Sequence, residues 1–236
     1  MRIKKGFFGE FSAIIFDADD TLWDCQTHFE AMENRLYEMI SPWTDNPKQE
    51  LFNTESGNMA DLGYGAKAFT ISILETAIRV SHGEIEASKV GELLQMGKDL
   101  LHFPALPLPG VEETLSEIRK LGLPMILFTK GELQDQENKL RRSGLAGYFD
   151  DVVITSNKSE KEFRELCERL DMKPAELVMI GNSFKSDIAP AVAVGMKAIH
   201  IPFYVTWQLE TFEEFEHENV IKLNEFRDIM GLIQNE

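Results

Sequence analysis

The chain has 236 residues, 43% hydrophobic and 27% charged, which fits an ordinary soluble globular protein with room for one domain and a sizeable insert. Its net charge of −16, from 24 basic and 40 acidic residues, repels nucleic acid and anionic membrane surfaces, so neither is an expected partner. Cys25 and Cys167 form no CxxC pair and read as free thiols of a reducing compartment; no apolar run approaches ~18 residues, and the cytoplasm is the expected location.

The apolar run Ser12-Ala13-Ile14-Ile15-Phe16 predicts a buried strand, and it ends in Asp17-Ala18-Asp19-Asp20-Thr21-Leu22-Trp23. Asp17 and Asp19 share one side of an extended backbone, so their oxygens converge. Like charges that close raise a pKa or bind a cation, and oxygen ligands of this kind suit Mg²⁺. A carboxylate beside Mg²⁺ can also attack phosphorus. The alternative reading is a plain turn, since Asp and Thr are common where a strand gives way to a helix.

Residues 24–103 contain no convincing strand and read as about four helices. Phe29, Met32, Leu36 and Met39 fall at helical spacing, and Asn46-Pro47 looks like an N-cap with a first-turn proline. Residues 66–80 and 88–101 are further helices, and the proline-rich 103–110 closes the segment as a stiff linker. The methionine and aromatic stripes are expected to be bundle core.

From Val111 onward helices and strands alternate. Residues 111–121 read as helix, 124–129 as strand, and 132–143 as a helix whose last turns carry Lys139, Arg141 and Arg142 before Gly144. Residues 151–155 are strand, Ser159-Glu-Lys-Glu162 is a capping box opening a helix to 170, and 177–181 is strand. A helix over 188–194 and a strand over 197–202 follow. The expected fold is therefore α/β: a doubly wound, Rossmann-like parallel sheet formed by residues 1–23 and 104–236, with a helical cap, 24–103, inserted after the first strand.

In such a sheet ligands sit outside the carboxyl ends of the strands. Polar residues fall there in order: Asp17 and Asp19, then Thr129-Lys130-Gly131, then Asn157-Lys158, then Gly181-Asn182-Ser183-Phe184-Lys185-Ser186-Asp187. This ordered set resembles the haloacid dehalogenase superfamily of aspartate-nucleophile hydrolases in its helical-cap form. The family's DxDxT stands as Asp17-Ala-Asp19-Asp-Thr21, its second-motif hydroxyl as Thr129, and its third-motif base as Lys158, with Lys161 the weaker candidate. The fourth motif, usually GD with a second Asp a few residues on, reads Gly181-Asn182 with Asp187.

The resemblance implies a Mg²⁺-dependent phosphatase of a small phosphorylated metabolite. Asp17 would be the nucleophile, giving an aspartyl-phosphate, and Asp19 the acid and then the base. Asp17, the Asp19 backbone carbonyl, Asp187 and Asn182 would hold Mg²⁺. Thr129, Lys130 and Gly131 would bind the phosphoryl group, and Lys158 would stabilise its charge. Tyr64 and Lys67 are the candidate substrate residues of the cap. Asn182 departs from the family pattern, since an amide brings no charge to the metal. The presence of Asp19 favours phosphoryl transfer over carbon–halogen cleavage. A phosphomutase, another phosphonyl-transfer member, or a non-catalytic binding protein on this fold stands as the alternative.

Overall fold

Ala13, Ile14, Ile15 and Phe16 are all fully buried, and this unbroken apolar run forms β1 (Ala13–Phe16) inside a six-stranded sheet. The computed structural model describes residues 6–234. The other strands are β2 (Met125–Lys130), β3 (Asp151–Thr155), β4 (Leu177–Gly181), β5 (Lys197–His200) and β6 (Val220–Lys222). Their order is β3-β2-β1-β4-β5-β6 and every pairing is parallel. Parallel neighbours need long crossovers, which is why helices alternate with strands here. The order reverses at β1, which pairs with both β2 and β4. The crevice at the carboxyl ends of those strands is where such a sheet accepts ligands.

The helices are α1 (Gln26–Ile40), α2 (Pro47–Leu62), α3 (Ala66–Val80), α4 (Ala87–Leu100), α5 (Val111–Arg119), α6 (Leu133–Ser143), α7 (Glu160–Leu170), α8 (Ala189–Val194) and α9 (Ile229–Gln234). None among the described residues is long and apolar enough to cross a membrane. On one side of the sheet, Ile15, Ile126, Phe128 and Met179 pack against Phe163, Leu166, Ala191 and Val194 from α7 and α8. Burying such side chains stabilises by ~1.5–3 kcal/mol each before chain entropy is charged against it.

The chain divides into two compact units. The first holds the sheet: the described residues through Asp24, Ala105–Thr206, and those from Glu210 onward. The second is helical and comprises Cys25–Pro104 with Trp207–Leu209. Within it Met32, Leu36 and Met39 of α1 meet Leu51, Phe69, Ile73 and Leu93, with Phe29 packed against them, so the expected stripe is bundle core. The Trp207 ring meets Tyr64 edge-on at 5.9 Å, and its Nε1 donates to Glu55 at 3.4 Å.

Three local features differ from the sequence reading. The strand expected over 197–202 stops at His200, two residues before Pro202, which has no N–H for a ladder. Its outer neighbour β6 is only three residues long, with no alternation to announce it. The helix expected from Ile188 is preceded by a widened, π-helical turn, Phe184–Ile188. Such turns recur at functional sites.

Candidate active site

The turn after β1 is set by backbone bonds before any side chain acts. Asp17 N–H donates to the Ile180 carbonyl of β4 at 2.9 Å, and Leu22 N–H closes a helical turn on the Ala18 carbonyl at 2.8 Å. Asp20 takes a left-handed φ of 61°, a conformation Asp tolerates better than most residues. The result separates the two motif carboxylates into different environments.

Asp17 faces Lys158, whose Nζ donates to Asp17 Oδ1 and to Asp187 Oδ1, each at 2.6 Å. Lys158 is buried, lies over the Phe128 ring at 5.3 Å, and immediately precedes the N-cap of α7. The capping box is present: the Ser159 side chain accepts from the first turn and Glu162 reaches back to Ser159 N at 2.8 Å. Lys161, the weaker candidate, is solvent-exposed and pairs with Glu165 instead.

Asp187 is delivered by the widened turn. Its Oδ2 accepts from Ser183 N–H at 2.9 Å, so both oxygens are held. Gly181, ending β4, makes this possible: a Cβ there would lie 2.3 Å from Asp187 Oδ2. Asn182 joins through Thr21, whose hydroxyl lies 3.0 Å from Asp17 Oδ2, 3.1 Å from Asn182 Oδ1 and 3.0 Å from Asn182 N. His200 Nε2 is 3.0 Å from the Asn182 carbonyl; an oxygen acceptor requires that nitrogen to carry the proton. Burial holds the His200 pKa below its usual value, in keeping with a neutral ring.

Two carboxylates thus share one ammonium. Burial, and then the neighbouring Asp187, push Asp17 up to about 7, although Lys158 opposes the shift. Burial disfavours the charged form of Lys158, but Asp17 and Asp187 outweigh it and its pKa is raised. The cluster is therefore short of positive charge, and the side-chain oxygens gathered there are hard donors: the two carboxylates and the Asn182 amide. That donor set fits a divalent cation such as Mg²⁺. No three His, Cys, Asp or Glu residues converge on one ion among the described residues, so neutral oxygens and water would complete the shell.

Asp19 sits apart from Lys158. Trp23 Nε1 donates to its Oδ1 at 2.7 Å, while Gln136 Nε2 and Lys139 Nζ reach Oδ2 at 2.9 and 2.6 Å. Burial would raise its pKa, but Lys139, Gln136 and Trp23 together hold it below the usual carboxylate value. Lys139, placed by the sequence only in the last turns of this helix, has its ammonium buried between Asp19 and Asp135. The available cue was the i, i+3 spacing of Gln136 and Lys139 on a helix that follows a motif-bearing strand.

Thr129 is buried near the end of β2. Lys130, expected at the substrate, lies 2.6 Å from Glu210 Oε1 and 2.9 Å from Ser186 Oγ, so Glu210 matches its charge. Glu210 Oε2 also accepts from Ser183 and Ser186 hydroxyls at 2.6 Å each. Nothing in the irregular stretch around Glu210 marked it beforehand. Gly131 has φ 151°, and a Cβ there would lie 2.7 Å from Gln136 Nε2. The helix itself starts later than the motif: α6 opens at Leu133, with the Glu132 carboxylate as its cap. Tyr64 and the exposed Lys67 belong to the helical unit, before and in the first turn of α3.

Comparison with known proteins identifies the family. The haloacid dehalogenase-like hydrolase family matches residues 11–195. A glyceraldehyde 3-phosphate phosphatase of Methanothermobacter thermautotrophicus is 27% identical over 79% of this chain and 84% of its own. One from Methanocaldococcus jannaschii is 24% identical over 94% and 96%. The crystal structure of a haloacid dehalogenase-like family hydrolase from Xanthomonas campestris superposes with a TM-score of 0.85 at 28% identity, covering 95% of this chain and 92% of that one. With its parallel sheet ordered around β1 and a family match spanning most of its length, the chain belongs to the haloacid dehalogenase-like hydrolases and is an enzyme of that family.

Proposed function

We propose that the chain is a Mg²⁺-dependent phosphatase of a small phosphorylated metabolite, working through a phosphorylated Asp17. The observation that carries this reading is the Asp17–Lys158–Asp187 cluster, two carboxylates on one buried ammonium at the carboxyl ends of parallel strands. A nucleophile for phosphorus must be anionic yet close to positive charge that screens it from the phosphoryl oxygens. Lys158 supplies part of that charge. Mg²⁺ held by Asp17, the Asp19 carbonyl, Asp187 and Asn182 would neutralise charge on the transferring group.

In this reading an Asp17 oxygen attacks phosphorus in line and the bond to the leaving oxygen breaks. Asp19 gives that oxygen a proton. A water then attacks the phosphorylated Asp17, Asp19 takes its proton, and phosphate leaves with Asp17 restored. Thr129, at the end of β2, orients the phosphoryl oxygens by hydrogen bonding. The named relatives act on glyceraldehyde 3-phosphate, so three-carbon and larger sugar phosphates are the first substrates to try.

The test is phosphate release from a panel of phosphometabolites and 4-nitrophenyl phosphate, with and without Mg²⁺, by the native protein and Asp17→Asn. Mg²⁺-dependent turnover that falls by more than about 10³-fold in the mutant is expected, since the mutant lacks the attacking group. Undiminished turnover in Asp17→Asn overturns the mechanism, and silence of the native protein across the panel overturns the activity.

A further inference from the structure

Asp19 is gripped from one side only. Its side chain keeps 24% of its surface exposed, whereas Lys139 keeps 2%. Trp23 and Gln136 are also buried, so all three donors approach from within the unit and leave the other side of the carboxylate open. A buried lysine is costly unless paired, and this one is paired twice: with Asp19 at 2.6 Å and with Asp135, one helical turn earlier, at 3.5 Å. Asp135 is itself buried, with Oδ1 lacking a hydrogen-bond partner and Oδ2 facing Lys139. Gln136 is tied in turn, its Nε2 bridging Asp19 Oδ2 and the Lys130 carbonyl at 2.9 and 2.8 Å. The α6 face carrying Asp135, Gln136 and Lys139 is thus committed to one carboxylate.

Resting on the phosphatase reading above, we propose that Lys139, assisted by Gln136, is the positioning residue of the acid–base step. Lys139 acts through Asp19, which it holds at 2.6 Å. It fixes Asp19 Oδ2 as an acceptor, so that the proton of the carboxyl group is carried by Oδ1 and passes from there along one direction to the leaving oxygen, while the P–O bond breaks and Asp19 is left as carboxylate. The pair matters in proportion to how much the leaving oxygen needs that proton. An alkoxide needs it; a 2,4-dinitrophenolate does not.

The experiment compares kcat/KM for an alkyl phosphate with that for 2,4-dinitrophenyl phosphate, because kcat/KM reports events up to departure of the leaving group. In Lys139→Met the alkyl value should fall about 30-fold and the dinitrophenyl value no more than about threefold, a range ordinary for a displaced acid. Gln136→Met, which removes no charge, should show the same asymmetry at about fivefold, and serves if Lys139→Met does not fold. Equal losses on both substrates, or none, overturn the proposal. The Trp23 indole N–H resonance, assigned with Trp43→Phe and Trp207→Phe, gives a reading that needs no turnover. It should shift in Lys139→Met as Asp19 loosens, and an unmoved resonance overturns the positioning role even if no substrate is found. A native protein inactive on both esters overturns the phosphatase reading and leaves the resonance to decide this one.

Discussion

Asn182 shows how much one atom can carry at this site. Its side-chain oxygen and its backbone N–H both meet Thr21 Oγ, and its carbonyl is held by His200, so the residue is pinned at three points. Thr21 has one hydroxyl hydrogen and two oxygen acceptors, Asp17 Oδ2 and Asn182 Oδ1. It cannot satisfy both at once. An aspartate in this place would be isosteric and would add a negative charge beside two carboxylates already short of positive charge. Asn182→Asp should therefore bind Mg²⁺ about tenfold more tightly, because affinity at oxygen sites follows ligand charge. Isothermal titration of both proteins at pH 7.5 measures it, and equal affinities would remove Asn182 from the metal's surroundings.

At the level of elements, the capping box of α7 does two jobs with one serine. Ser159 begins the helix, and Lys158, the residue before it, enters the cluster at an angle the cap sets. Ser159→Ala should lower stability by about 1 kcal/mol, the usual worth of an N-cap. It should also lower kcat several-fold while KM changes little, since Lys158 would be less firmly placed. Chemical denaturation and steady-state kinetics on one preparation separate the two effects; a loss of stability with unaltered kcat would uncouple cap from site. The capping box was legible from S-x-x-E alone, as were the parallel strands from their apolar runs and the strand-end motifs from their order. The partners of Asp19 were not. They depend on α6 packing its Gln136–Lys139 face toward the turn after β1, and a lysine in the second half of a helix reads from sequence as a solvated cation. Glu210 was equally hidden, because no periodicity says where an irregular stretch returns. β6 is three residues long, too short for a strand pattern to show.

For the molecule as a whole, an excess of 16 negative charges makes each buried carboxylate a question of pH. A case outside the cluster lies in the helical unit. Glu55 of α2 is buried beside Glu33 of α1, and its carboxylate accepts a long hydrogen bond from Trp207. Burial, and then Glu33, raise its pKa from the ordinary 4.5 to about 7. The folded chain therefore holds this proton more tightly than the unfolded chain does. Stability is undiminished below about pH 4.5 and declines as pH rises through the window up to about 7, where the folded form must also ionise. The carboxylates held below their usual pKa, Asp19 and Glu210 among them, act in the opposite sense, so the total curve mixes both. A difference isolates Glu55. Glu55→Gln keeps the shape and removes the titration, and it should be more stable than the native chain at pH 8 by on the order of 3 kcal/mol, about 1.36 kcal/mol per pKa unit. At pH 4.5 the two proteins should be nearly equal. Urea denaturation of both at the two pH values measures the gap, and a gap independent of pH would mean that Glu55 is ionised in the folded chain throughout.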